Sequence, residues 1–157
     1  MSRSAVAGVL VVVAAVAVLS GQAENLQVGT WKMNMAKSKF STGTGFKSAT
    51  SKIEHVPGGV KHMVDSVYAD GTTRRYEYTT TYDGKDVPVT GNSPYGDTTA
   101  LTRIDANTTR TVYKNKGTVM LIQMSVVSAD GRTRTVTTKG TNPAGQTVDN
   151  LSVYDRQ

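Results

Sequence analysis

From Glu24 to the C-terminus, apolar and polar side chains alternate in short runs, and a turn signal interrupts each run before a helical period can establish itself. Threonine, valine and tyrosine are frequent in these runs, and such branched or aromatic side chains suit a pleated, half-buried surface. The chain is therefore expected to be nearly all β.

The first strand is read over 29–36, with Trp31, Met33 and Met35 on one face and Thr30, Lys32 and Asn34 on the other. A crossing at 37–47, broken by Gly43 and Gly45, has room for one helical turn or an extended passage but hardly for two helices. Further strands are read over 48–56, 60–69, 72–82, 85–90, 98–104, 108–114, 118–127, 132–140 and 146–154, with turn formers such as Asp70-Gly71, Asp83-Gly84 and Ala129-Asp130-Gly131 between them. Taking Gly58-Gly59 as a two-residue hairpin loop places Lys52 opposite Asp65, Ile53 opposite Val64 and His55 opposite His62. About ten strands joined mainly by hairpins argue for a single antiparallel up-and-down β-barrel. Closure removes exposed strand edges, and a barrel of this size is about wide enough to hold one small ligand.

Behind Arg3, residues 5–19 form an uninterrupted apolar run. As a helix it would reach roughly 22 Å, short of the roughly 30 Å hydrocarbon core of a bilayer but the right length for a signal-peptide core. Gly21 and Ala23 put small side chains at −3 and −1 of a cut after Ala23. Residues 1–23 are thus read as a signal peptide and 24–157 as one domain, exported to the periplasm or the medium with no stable membrane anchor. Gln22 stands where a lipoprotein would need its lipid-bearing cysteine, and the chain has no cysteine at all. Disulfides, zinc–thiolate sites and cysteine nucleophiles are therefore excluded.

Lys+Arg number 18 against 12 Asp+Glu, a formal net charge of +6, which favours anionic partners. The basic residues are scattered, with Arg74-Arg75 the one adjacent pair, so they describe a solvated surface rather than a nucleic-acid stripe. No P-loop, dinucleotide fingerprint or serine-nucleophile elbow is present, and Asp70, Asp83, Asp105 and Asp130 fall in turns where local hydrogen bonding explains them. No catalytic residues and no cofactor are expected. His55 and His62 are the two histidines; as cross-strand neighbours they form a weak candidate metal pair, since Ile53, Val60 and Val64 around them offer no third ligand. Tyr76, Tyr78 and Tyr82 share a face with Arg74 and either line a cavity or fill the core. In 118–127, Met120, Ile122, Met124 and Val126 lie on one face, and Val119, Leu121, Gln123 and Ser125 on the other. Both faces are apolar enough for a central strand, and its methionines could supply an adaptable pocket or simple filler.

Gly29-Thr30-Trp31-Lys32 resembles the G-x-W signature of the lipocalin and fatty-acid-binding-protein (calycin) superfamily, and Val153-Tyr154-Asp155-Arg156 is similar to the last strand of intracellular fatty-acid-binding proteins. The 128–137 segment is similar to their penultimate hairpin, and the chain beyond its leader also resembles short secreted bacterial proteins described as lipocalin-like. The resemblance implies a binding barrel in which Trp31 packs under the floor and Arg156 covers it. Two departures bear on the ligand. Residues 37–47 are too short for the helical lid of fatty-acid-binding proteins, and Ser152-Val153-Tyr154 stands where those proteins offer Arg-x-Tyr to a carboxylate, so the cation is missing there. The function expected is non-enzymatic binding of a small apolar or amphipathic ligand inside the barrel, by Trp31, Met33, Tyr76, Tyr78, Met120, Met124 and Tyr154. The alternative is a filled-core interaction module presenting Arg74, Arg75, Arg132 and Arg134 to an anionic envelope component or a protein.

Overall fold

The structure, a computed structural model, describes residues 25–41, 46–68 and 70–157; the signal peptide read over 1–23 lies outside the described residues. Eleven strands form one antiparallel sheet: β1 (Gly29–Met33), β2 (Phe46–Val56), β3 (Gly59–Tyr68), β4 (Thr73–Thr80), β5 (Asp83–Pro88), β6 (Thr90–Gly91), β7 (Thr98–Arg103), β8 (Thr108–Asn115), β9 (Thr118–Val127), β10 (Thr133–Thr141) and β11 (Thr147–Arg156). Their order is β5-β7-β8-β9-β10-β11-β1-β2-β3-β4-β6. The first and last strands pair in mid-sheet, Trp31 opposite Arg156 and Met33 opposite Tyr154, while the two edges are consecutive pieces of chain.

This arrangement curls the sheet into a nearly closed barrel with one unsealed seam. β5 leaves β4 and pairs with β7, Val87 opposite Thr99; after Val89 the chain swings back as β6, placing Gly91 opposite Tyr76. The return needs glycine. Gly91 has φ +99, and a Cβ there would lie 2.4 Å from the Arg75 carbonyl oxygen. β6 is the strand that the expectation of about ten did not contain, and it lies at the end of the run read over 85–90.

Local chemistry sets the other boundaries. β1 stops at Met33 because Asn34 turns its side-chain oxygen onto the Lys37 amide at 3.2 Å, capping a single 3-10 turn at Met35–Lys37. The β2–β3 hairpin closes one residue earlier than the glycine pair suggested. Pro57 and Gly58, the latter at φ +79, take the two central turn positions, the Pro-Gly order of a type II turn. Each partner therefore moves by two residues: His55 faces Val60, Ile53 faces His62, Lys52 faces Met63 and Thr50 faces Asp65. A two-residue shift keeps the faces but dissolves the histidine pair, leaving His55 exposed and His62 buried.

Side chains fill most of the interior. One cluster joins Trp31, Met33, Val127, Val136 and Tyr154, from β1, β9, β10 and β11. A second, with Ile53, Val64, Tyr76, Tyr78, Leu101, Tyr113 and Leu121, fills the middle. Trp31 is fully buried, its indole N–H donates to the Gln27 carbonyl at 2.9 Å, and the Arg156 guanidinium lies 4.2 Å over its ring. Arg156 also donates to the Gly131, Val28 and Leu26 carbonyls, closing the floor of the barrel.

Candidate functional site

On β10 the inward positions are Arg134, Val136 and Thr138, so the alternation that buries a valine also buries an arginine. Arg134 is 5% exposed, and the register sets it directly opposite Tyr154 of β11. The expectation that Arg134 belongs to a basic surface is corrected here: it lies in the interior. It places a guanidinium 5.6 Å from the centroid of the Tyr154 ring.

An arginine can only donate, so the two serine oxygens beside Arg134 accept from it. Its Nε donates to Ser125 Oγ at 2.7 Å and one terminal nitrogen donates to Ser51 Oγ at 2.8 Å. Ser125 passes its own proton to Gln27 Oε1 at 2.9 Å, and the Gln27 amide nitrogen donates to the Asn107 carbonyl at 2.7 Å. His62 lies between Ser51 and Tyr78, its Nε2 hydrogen-bonded to Ser51 Oγ at 2.7 Å and its Nδ1 to the Tyr78 hydroxyl at 2.5 Å. Burial, and after it the Arg134 charge, holds the His62 pKa well below its ordinary value, so the imidazole is neutral. Burial pushes the Tyr78 phenol up to about 12, and raises the Tyr76, Tyr113 and Tyr154 phenols, so these hydroxyls remain donors at any physiological pH.

Among the described residues no carboxylate forms an ion pair with Arg134; the pairs present, such as Lys114–Asp86 and Lys61–Glu77, lie on the outside. Two of its N–H groups are used by serine hydroxyls, and the other three have no protein partner among the described residues. A buried charge left without a countercharge costs on the order of 3–5 kcal/mol. Arg134 lines a chamber of about 30 Å³ with Met33, Ser51, His62, Tyr76, Ser152 and Tyr154. At roughly 10–15 Å³ per water, that holds about two waters. Above it, a vestibule of about 230 Å³ opens at the mouth, and Phe46, Tyr68, Pro94 and Tyr95 form walls of both. Tyr95 comes from the loop after β6, its ring 5.2 Å from Tyr113 and 6.2 Å from Tyr76.

Of the cavity residues read from sequence, Met33, Tyr76 and Tyr154 line the chamber. Tyr78 reaches it through His62 and lines a smaller void of about 10 Å³ beside Arg134. Trp31 lies in the floor, and Met120 is partly buried against the central cluster. Met124 is on the outward face: the buried positions of β9 are Leu121, Ser125 and Val127, with Gln123 of the same face lining the chamber. Ser51, Ser125, Gln27 and Arg134 were not singled out as cavity residues. The signal available was parity alone, since Arg134 shares its face with Val136. Compared with protein family models, with curated proteins and with solved structures, the chain matches none of them.

Proposed function

We propose that this protein is an exported, non-enzymatic barrel of lipocalin-like kind that binds a small amphipathic molecule, with an anionic group of the ligand seated on Arg134. The observation that carries this reading is a buried guanidinium with a tyrosine across the ladder and, among the described residues, no partner for three of its N–H groups and no countercharge. An anion arriving there meets donors already oriented by Ser51, Ser125 and Gln27, and it supplies the charge that the fold omits. The aromatic walls of Phe46, Tyr68 and Tyr95 give the rest of such a ligand an apolar path to the mouth. Export to the periplasm or the medium is part of the same proposal and rests on the apolar leader.

The test is competition of dodecanoate and of dodecanol against a fluorescent apolar dye on the wild-type protein and Arg134→Met. One charge-assisted hydrogen bond contributes about 1.5–3 kcal/mol, so the variant should bind dodecanoate roughly 10- to 100-fold more weakly and dodecanol unchanged. Equal loss for both ligands, or none, sinks the reading. The 30 Å³ chamber favours a second reading, a filled-core module whose exposed basic residues meet an anionic envelope surface. Binding of that kind weakens steeply from low to high salt, whereas interior binding changes little.

A further inference from the structure

The alternation of β4 carries a second guanidinium inward. Arg74 shares its face with Tyr76, Tyr78 and Thr80, at the end of the strand that opens on the mouth, while its neighbour Arg75 points outward toward Asp65 at 3.6 Å. The Arg74 guanidinium lies over the Tyr68 ring, 5.4 Å from its centroid. Its Nε is buried and has no hydrogen-bond partner among the described residues. Asp70, the acid of the adjoining turn, is held by the Thr72 amide at 2.8 Å and makes no ion pair with Arg74. Arg74 lines the vestibule beside Ser93, Asn142, Gln146 and Asn150. None of the described carboxylates lines either the vestibule or the chamber, so the connected interior is charged with one sign only.

Resting on the reading of Arg134 as an anion site, we propose that the ligand is an elongated molecule with an anionic group at each end and an apolar middle. The inner group lies on Arg134 and the outer group on Arg74. The middle passes between the walls common to the two spaces, where Phe46, Tyr68, Pro94 and Tyr95 offer rings and a pyrrolidine face but no charge. Arg74, stacked on Tyr68, is pre-set to take a carboxylate or phosphate edge without reorganising. A ligand held at one end presents its other end at high effective concentration, so the second contact adds affinity only when the spacing matches.

The experiment is calorimetric titration of the purified protein with the α,ω-diacids from octanedioate to hexadecanedioate and with the monoacid of each length. Expected is a window of lengths in which the diacid binds about tenfold or more tightly than its monoacid. Arg74→Gln should abolish that advantage and leave monoacid affinity within about twofold, which also shows that the variant is folded; Arg134→Met should weaken both series. A diacid no tighter than its monoacid at every length overturns this inference alone, as does a diacid advantage that survives in Arg74→Gln. Failure of either series to bind the wild-type protein overturns it together with the Arg134 reading.

Discussion

Arg134 and Arg156 both donate hydrogen bonds within the barrel, and their surroundings separate a structural role for Arg156 from the binding role proposed for Arg134. Arg156 donates to three backbone carbonyls and covers Trp31, so its charge is solvated by peptide dipoles. Arg134 has two hydroxyls, each of which retains another partner, His62 for Ser51 and Gln27 for Ser125. Removing its guanidinium therefore orphans neither serine, and Arg134→Met is predicted to be neutral or stabilising in chemical denaturation rather than costly. His62 gives a second residue-scale prediction. Its folded pKa lies below the unfolded value of about 6.5, so the neutral ring contributes stability that is present above that pH and is lost as pH falls below it. The turn carboxylates Asp70, Asp83, Asp97, Asp105 and Asp130 are held low by turn hydrogen bonds and act in a more acidic window, below about 4. Melting temperature followed from pH 8 to 4.5 should drop below about pH 6.5 in the wild type and flatten in His62→Gln; an unchanged slope would assign the transition to other groups. At this scale the sequence was hardest to read. The parity of Arg134 with Val136 was visible, but its meeting with Tyr154 depends on a β10–β11 register that no local pattern specifies.

Strand boundaries were legible because turn formers such as Asp70-Gly71 and Asp83-Gly84 mark them, and all ten runs read from the alternation reappear with ends moved by three residues or fewer. Faces were legible where one side is plainly polar. They were not legible in β9, where Ile122, Met124 and Val126 oppose Leu121, Gln123 and Ser125, and the more polar set turned out to face inward because it meets Arg134 and Gln27 there. The β2–β3 register failed for a different reason: three consecutive turn formers, Pro57-Gly58-Gly59, admit two loops, and proline favours the first central position. Two glycines make this testable. Gly58→Ala meets open space and carries backbone strain alone, about 1–2 kcal/mol. Gly91→Ala carries the same kind of strain and also drives a Cβ to 2.4 Å from the Arg75 carbonyl oxygen where β6 joins β4. Urea denaturation should therefore rank Gly91→Ala clearly below Gly58→Ala in stability, and equal losses would mean that β6 does not hold the seam.

The barrel as a whole joins a sealed floor to an open mouth, and the positive interior lies between them. Closure was foreseeable from a meander long enough to curl, but the position of the seam was not, because it depends on β5 preferring β7 over the strand that precedes it. Filling was not legible either: composition is silent on whether tyrosine rings crowd a cavity or line it, and here they leave a chamber of about 30 Å³ beneath a vestibule of about 230 Å³. A fold that buries an unopposed guanidinium gives up stability that a ligand anion can restore, and ligand that binds only the native state raises the melting temperature by mass action. The central claim is therefore tested most directly by thermal unfolding of the wild type and Arg134→Met, each with and without saturating dodecanoate. The predicted result is an unliganded variant at least as stable as the wild type, with dodecanoate stabilising the wild type alone. A variant that melts several degrees lower and responds to dodecanoate as the wild type does would contradict it, because Arg134 would then be part of the scaffold and not the seat of a ligand.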